Sequence, residues 1–236
     1  MDSFGNEALT AFQDAAADDV IVSARFDVLD AGGVTLQRIA DLTQTSGWIS
    51  RDDRELAVAL LSRLASELSA GIALMVRQSY LYAAGALLRQ LVEIEYLMFL
   101  GYLDPNNLAR WYRADGTELR KTFSPQRMRN ASDGLFRDQE YWLHCEVGGH
   151  PHPRARMLLN AYQTRLSPVA SLFPDAVHHL RRLWTSLRLL LPKLDIGELA
   201  LKEFAEPLVK AIEHWTKVEN PLILSFDGID SETAEG

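Results

Sequence analysis

The sequence has little of several features that define common protein classes. It contains a single cysteine, Cys145, so an intrachain disulfide is excluded and a reducing compartment is favoured. Its 9 prolines and 14 glycines among 236 residues, with 47% hydrophobic residues, exclude collagen-like and low-complexity chains. What remains is the composition of a globular protein that is long enough to bury a substantial core.

A basic leader and a long uncharged hydrophobic run are also missing. The most apolar region, residues 71–103, is interrupted by Arg77, Arg89, Glu93 and Glu95, whereas a membrane-spanning helix needs about 20 largely uncharged residues. The N-terminal segment is acidic where a secretory signal is basic and then apolar. We therefore expect a cytoplasmic protein with no membrane partner.

An excess of positive charge is absent as well. The net charge is -8, with 24 Lys and Arg against 32 Asp and Glu, which argues against broad binding of nucleic acid or anionic membranes. The centre of the chain differs, because residues 105–160 carry nine basic and six acidic side chains. DNA binding is not predicted, but a local basic surface favours RNA or another anionic ligand there.

Helical spacing and helix-capping signals dominate the sequence, and the alternation typical of strands is missing. Residues 81–103 are apolar nearly all round and predict a central helix that ends at Asp104-Pro105. We predict an all-α fold, an irregular multi-helix bundle around this central helix. The predicted organisation is a helical extension over 1–50 packed on the main domain, a bundle over 51–225, and a mobile acidic tail over 226–236.

The other helices are predicted from capping residues, from glycines and prolines at their ends, and from apolar spacing. A first helix begins after Asp2-Ser3 and is expected to end at Gly32-Gly33, followed by a short helix from Val34. A helix from Arg51 toward Gln78 is expected to bury a leucine stripe of Leu56, Leu60, Leu61, Leu64 and Leu68. Further helical segments are predicted over 106–123, 126–131, 137–147, 174–191 and 198–218, with Pro207 kinking or dividing the last.

Ionised side chains in the central helix are the first candidate site. Arg89 and Glu93 lie four residues apart, and therefore on one face. A buried charge costs several kcal/mol unless it is paired, so these residues must face a polar pocket, a partner chain or each other. Glu95 lies on a different face and needs polar surroundings of its own. A structural ion pair and the floor of a pocket both fit this pattern.

The stretch EYWLHCEVGGHPHPR, residues 140–154, holds half of the six histidines. The Gly148-Gly149 turn lets the chain fold back. We therefore expect residues 140–154, which we call the histidine-proline corner, to contact Arg89 and Glu93. The predicted pocket is lined by Arg89, Glu93, Arg110, Tyr141, His144 and His150, and His152 is a further candidate binding residue.

The sequence of this corner does not predict a metal site. The corner offers histidine, cysteine and carboxylate ligands, but it contains no CxxC or HExxH pattern. Each histidine of HPHP precedes a proline, which favours extended backbone and sends the two imidazoles to different sides. No metal ligand set and no cofactor follow from the sequence. His178 and His179 are expected at the surface of an amphipathic helix.

One short pattern resembles a known catalytic motif. Arg137-Asp138 followed by His144 has the form R-D-x5-H, which is similar to the Arg-(Asn/Asp/His)-x4-His motif of HEPN-type helical ribonucleases but one residue longer. The resemblance implies a histidine and an arginine that act on an RNA phosphodiester across a dimer interface. Such chemistry is reasonable, since histidine moves a proton near neutral pH and arginine holds phosphate.

A broader resemblance covers residues 55–153. The order RQLVEIEYL, LARWYR, FSPQRMR and YWLHCEVGGHPHP resembles a large bacterial family of all-helical proteins, grouped as a domain of unknown function and distantly similar to HEPN proteins. The resemblance carries no established activity. The matching positions are Arg89, Glu93, Arg110, Tyr141, His150 and Pro151.

The leading prediction is a homodimer that binds or cleaves RNA without a metal ion. His144 or His150 is the expected acid or base, Arg137 or Arg89 the expected phosphate ligand, and Glu93 a further catalytic candidate. Two alternatives stay open. One is a non-catalytic interaction or regulatory module in which Arg89 pairs structurally with Glu93, and the other is a metal-dependent helical enzyme.

Overall fold

A computed structural model describes residues 19–159 and 168–219. Over these residues the chain contains helices and no β-strand, which confirms the predicted all-α multi-helix fold. The predicted start at Asp2-Ser3 and the predicted tail over 226–236 lie outside the described residues. The helices are α1 (Asp19–Ser50), α2 (Asp53–Arg77), α3 (Leu81–Leu103), α4 (Asn106–Arg113), α5 (Gly116–Thr122), α6 (Pro125–Asn130), α7 (Asp138–His144), α8 (Arg156–Leu159), α9 (Pro168–Leu190) and α10 (Glu198–Val218).

Helix α3 is the centre of the fold, with the bounds that its apolar pattern predicts. It packs against α2 and α9 and also meets α4, α6 and α7. Its residues Leu91, Val92 and Met98 are completely buried. A π-helical turn, Cys145–Gly149, continues α7 and lies on α3. This contact brings the histidine-proline corner to the central helix.

The expectation that Gly32 and Gly33 end a helix is wrong, because α1 runs unbroken through both. A Cβ on Gly32 would lie 2.4 Å from Cδ2 of Leu180 in α9. On the adjacent side, Oγ of Ser66 in α2 donates a hydrogen bond of 2.7 Å to the Gly33 carbonyl. Gly32 therefore serves the close packing of α1 on α9, which outweighs the cost in helix propensity of about 1 kcal/mol for a glycine.

Helix α2 has the predicted extent, and its predicted leucine stripe is buried in part: Leu61 is 1% exposed, and Leu56 and Leu68 are half-buried. Leu60 and Leu64 are each 42% exposed, while the buried side consists largely of alanine and serine, including Ala65 and Ser66. Small side chains let α1 approach closely. By length and composition α2 also meets the criteria for a membrane-spanning helix, and half of its most apolar window is buried within the fold.

The first and last described helices are joined by a buried ion pair. Arg25 of α1 donates hydrogen bonds to the Glu219 carboxylate just after α10, and the Trp215 indole N–H donates to the same carboxylate. Oγ1 of Thr35 donates to the Phe204 carbonyl at 3.2 Å. These contacts pack α1 firmly on the rest of the fold. The predicted boundary near residue 50 lies at the turn between α1 and α2.

Two of the later predicted segments differ from the structure in their division or their bounds, and a third, α10, has its predicted bounds. The segment over 106–123 is two helices, because the Asp115 carboxylate caps α5 by accepting from the Thr117 and Glu118 amides at 2.8 Å. Helix α9 begins at Pro168 and contains Pro174. Helix α10 has the predicted bounds and is undivided at Pro207.

Candidate functional site

A contact between two glycines fixes the histidine-proline corner to α3. A Cβ on Gly148 would lie 2.3 Å from the carbonyl carbon of Gly85, so a residue without a side chain is required for the π-helical turn to rest on the α3 backbone. Arg89 lies about one helical turn beyond Gly85, and His150 lies just beyond Gly148. The two side chains therefore reach the same place.

Four of the predicted site residues meet there, and we call them the Arg89 cluster: Arg89, Glu93, Tyr141 and His150. Nη2 of Arg89 donates to the Tyr141 hydroxyl at 3.2 Å, and that hydroxyl donates to Oε1 of Glu93 at 3.3 Å. Nη2 of Arg89 also lies 3.4 Å from the same Glu93 oxygen. Nη1 of Arg89 is 3.5 Å from Nε2 of His150. The corner is thus the counterpart of the ionised pair, as the sequence indicates.

The Arg89 cluster extends from the protein interior to solvent. Tyr141 is buried, whereas the side chains of Arg89 and Glu93 are 23% and 35% exposed. His150 is exposed at the outer edge. A ligand can therefore approach the Arg89 guanidinium, the Glu93 carboxylate and the His150 imidazole from solvent. The buried Tyr141 hydroxyl holds Arg89 and Glu93 in place from the interior side.

The electrostatics keep Tyr141 neutral and Arg89 charged. Burial raises the pKa of Tyr141 to about 12; the Glu93 charge adds to this effect, and the hydrogen bond from Arg89 opposes it. Burial also disfavours the charge on Arg89, but the hydrogen bond to Tyr141 and the nearby Glu93 together hold its pKa above the ordinary value. At neutral pH the cluster presents a permanent cation fixed by a neutral phenol.

A second cation supports the tyrosine ring. Cζ of Arg129 lies 4.1 Å from the ring centroid of Tyr141, within the range of a cation–π interaction. The Arg129 side chain is only 3% exposed and forms an ion pair with Asp138 at 2.8 Å. Sequence reasoning missed Arg129. The cation on α6 and the first residue of α7 together set the position of Tyr141.

Two predicted arginines lie outside the Arg89 cluster. Arg110 belongs to α4, which packs near the end of α3, where a Cβ on Gly101 would touch Leu108. Gly101 lies about 18 Å along the helix from Arg89, and Arg110 pairs with Glu118 instead. Arg137 is the exposed residue before α7 and lines a shallow depression between α6 and α7. The expected place of Arg110 in the pocket is therefore wrong.

The predicted histidines 152 and 144 are also elsewhere. His152 is exposed, and its Nδ1 accepts a hydrogen bond from the Arg154 amide at 3.1 Å, so it caps the following turn. His144 shares α7 with Tyr141 but is turned toward α9, where its Nε2 lies 3.1 Å from Nε2 of His179. In the R-D-x5-H pattern, His144 is buried and Arg137 is exposed.

His179 is the centre of a second polar cluster, which we call the His179 cluster: Glu95, His144, Asp175, His179 and Arg182. The expectation that His179 is a surface residue is wrong, since it is completely buried. Nδ1 of His179 lies 2.5 Å from Oε2 of Glu95, and Nε of Arg182 lies 2.9 Å from Oε1 of Glu95. These contacts supply the separate polar surroundings that the position of Glu95 requires.

Ligand atoms for a cation come together only in the His179 cluster, as far as the described residues show. Nε2 of His144, Nε2 of His179 and the Asp175 carboxylate lie within 4.8 Å of one another. The sequence prediction of no metal ligand set overlooked this group, because His144 is remote from α9 in the chain. The available signal was Asp175 and His179 at a four-residue spacing, together with a carboxylate, Glu95, in an apolar helix.

The fold and its two clusters define an all-α protein with a polar site on each of two sides of its central helix. One site, the Arg89 cluster, is solvent-accessible, and the other, the His179 cluster, is largely buried and contains two histidines. Comparison of the sequence with protein families, with curated proteins and with solved structures gives no match.

Proposed function

We propose that this protein binds RNA through the Arg89 cluster and cleaves it without a metal ion. The observation that supports this proposal is the approach of Arg89 Nη1 to His150 Nε2, 3.5 Å apart at the exposed edge of the cluster. A distance of this length makes at most a weak hydrogen bond. A phosphate oxygen placed between an arginine and a protonated histidine would accept from both.

The cluster contains the groups that an RNA transesterification requires. The 2′-hydroxyl attacks the adjacent phosphorus, and its proton passes to the Glu93 carboxylate. Arg89 neutralises the charge that develops on the non-bridging oxygens. Protonated His150 gives a proton to the departing 5′-oxygen as the P–O bond breaks. The products are a 2′,3′-cyclic phosphate and a 5′-hydroxyl, and Tyr141 holds Arg89 and Glu93 in register.

We further propose that the protein is HEPN-like, forms a homodimer and is located in the cytoplasm. Exposed apolar side chains on one side of α2, including Leu60, Leu64 and Leu74, offer a surface on which a second copy can pack. The overall charge of -8 implies that RNA contact is confined to a local basic surface rather than spread over the protein.

The rival is a non-catalytic interaction module. It is favoured by the internal satisfaction of Arg89 and Glu93, which form an ion pair four residues apart with Tyr141 between them. In that case the Arg89 cluster has a structural role: it holds the histidine-proline corner on α3 and binds no ligand. Removal of His150 would then leave the pair intact and affect no reaction.

A matched pair of histidine variants separates the two. His150 and His152 are both exposed in the same corner, but only His150 approaches Arg89. We expect His150→Gln to lower turnover of a labelled single-stranded RNA by about 10²- to 10⁴-fold, while His152→Gln retains the wild-type rate. Chelator in every reaction tests the metal independence.

Binding is measured in parallel by fluorescence anisotropy of the same RNA at two salt concentrations. Arg89→Gln should weaken binding and reduce its salt dependence, since one phosphate contact is lost. If wild type, His150→Gln and His152→Gln all show background turnover, the catalytic proposal fails. If RNA also binds Arg89→Gln as well as it binds wild type, the interaction module replaces it.

A further inference from the structure

We propose that His144, Asp175 and His179 form a binding site for a divalent first-row transition-metal ion, with Zn²⁺ the ion that the donor set fits best. The site lies between α7 and α9, and no residue of the Arg89 cluster belongs to it. The proposal is therefore independent of the proposed RNA chemistry.

The ligand atoms already have the separations that one ion requires. Nε2 of His144 and Nε2 of His179 are 3.1 Å apart; the first lies 3.5 Å from Oδ2 of Asp175 and the second 3.5 Å from Oδ1. With one ligand atom taken from each side chain, all three atoms lie within 4.8 Å of one another. Ligands at about 2.1 Å from a metal ion are about 3.0 Å apart at right angles and about 3.4 Å apart in a tetrahedron. A single ion fits between the three side chains with little movement of the helices.

The helices present these side chains for a local reason. Asp175 and His179 are four residues apart on α9 and therefore share one face. His144 is the last residue of α7, before the π-helical turn redirects the chain. Since the turn is docked on α3 through Gly148, the end of α7 is held beside α9.

Glu95 orients the His179 imidazole for metal binding. Nδ1 of His179 lies 2.5 Å from Oε2 of Glu95 and 2.9 Å from Nη2 of Arg182. Metal binding requires the tautomer whose Nδ1–H donates to the Glu95 carboxylate, which leaves the lone pair on Nε2, the atom that faces His144. Arg182, 2.9 Å from the other Glu95 oxygen, neutralises this buried carboxylate. A histidine that donates its second N–H to a carboxylate is the usual arrangement at metal sites, and it fixes both tautomer and ring position.

The donor set identifies the kind of ion. Two imidazole nitrogens and one carboxylate suit Zn²⁺ and its first-row neighbours, whereas Ca²⁺ and Mg²⁺ prefer oxygen ligands throughout. Three protein ligands leave a coordination position for water. The Asp175 side chain is 31% exposed, while His144 and His179 are buried, so solvent reaches the ion from the Asp175 side.

The competing interpretation is a hydrogen bond between the two imidazoles, with one proton shared between the Nε2 atoms. This arrangement also accounts for the 3.1 Å separation. It predicts no retention of metal ions, and it predicts that added Zn²⁺ does not raise the thermal stability. Metal content and stability therefore distinguish the two.

The experiment loads chelator-treated full-length protein with Zn²⁺ or Co²⁺, removes unbound ion by desalting and measures metal per chain by mass spectrometry. We expect about one ion per chain, an increase in Tm that grows with free Zn²⁺, and a visible Co²⁺ spectrum typical of nitrogen ligation. Retention by wild type no greater than by Asp175→Asn would overturn the proposal.

Three variants make the result specific. Asp175→Asn removes a partly exposed ligand and should abolish retention with the fold intact by circular dichroism. Glu95→Gln keeps all three ligands and should weaken Zn²⁺ binding by about 10- to 100-fold. His214→Gln removes an exposed imidazole of α10 and should bind as wild type does. Loss of the ion in His214→Gln but not in Asp175→Asn would assign it to the surface and also overturn the proposal.

Discussion

Gly148 lies against the backbone of Gly85, so that a Cβ on Gly148 would be 2.3 Å from the Gly85 carbonyl carbon and 2.6 Å from the Ala86 nitrogen. The obstructing atoms are backbone atoms of the central helix and cannot rotate aside. The contact therefore determines how far His150 stands from Arg89.

Gly148→Ala should lower the free energy of unfolding by about 1–3 kcal/mol, the usual cost of overpacking, and should weaken RNA binding because His150 is pushed away from Arg89. Urea denaturation and anisotropy measure the two effects. Gly116→Ala is the control, since its Cβ would meet only the flexible end of Arg120 at 3.6 Å. Equal stability of the two variants would show that the turn does not rest on α3 as described.

Adjacent glycines of α1 should respond oppositely to alanine. Both substitutions gain up to about 1 kcal/mol of helix propensity. A Cβ on Gly33 would meet its nearest atom at 3.4 Å, whereas one on Gly32 would lie 2.4 Å from Leu180. We expect Gly33→Ala to be neutral or stabilising and Gly32→Ala to be destabilising by about 1–3 kcal/mol. Thermal denaturation measures both, and the same Tm change in both would contradict the packing of α1 on α9.

The Arg25–Glu219 pair should be essential for stability. Both side chains are almost completely buried, and loss of one partner leaves an uncompensated charge. We expect Glu219→Ala to destabilise the protein by about 3–5 kcal/mol, as measured by urea denaturation. The exposed pair of Glu206 and Lys210 on α10 provides the control, and Glu206→Ala should leave the midpoint unchanged. A small effect of Glu219→Ala would mean that solvent reaches this pair.

Tyr141 should make the fold sensitive to alkali. Its pKa is raised from 10.0 to about 12, so between these values the unfolded chain releases a proton that the folded chain keeps. Stability from this group is complete below pH 10 and is lost as pH rises toward 12. Tyr141→Phe should therefore flatten the fall in stability over this range, measured by denaturation at several pH values. Tyr80→Phe, at a 62% exposed position, should leave the slope of the wild type.

The sequence predicts helices more accurately than it predicts which side chains pack between them. The bounds of α3 and α10 follow from local apolar spacing and capping signals, which are properties of adjacent residues. The end of α1 was misjudged because helix propensity is a local quantity, whereas the need for a small residue at Gly32 arises from Leu180, far away in the chain. The leucine stripe of α2 is correct only in part for the same reason: Leu61 is buried, but Leu60 and Leu64 are exposed, because alanine and serine form much of the buried side of the helix.

The Arg89 cluster was partly predictable because its members interrupt recognisable patterns. A charge in an apolar helix and a histidine beside a glycine turn are each visible in the sequence, and their meeting follows from the cost of burying a charge. Arg110 has the same chemistry but belongs to a helix at the other end of α3. The His179 cluster joins three helices, and its assembly depends on helix rotations that no single segment specifies.

The Arg25–Glu219 contact joins residues 194 positions apart. During synthesis, the ribosome completes α1 long before it adds Glu219. The Arg25 guanidinium, which is buried in the folded protein, therefore lacks its ion-pair partner at that stage. Helices near the N-terminus can form early, but the pairing of Arg25 must wait until Glu219 has emerged from the ribosome. A nascent chain stalled before Glu219 emerges would therefore lack the contacts of α1 with the last described helix, and α1 would stay accessible to chaperones and proteases.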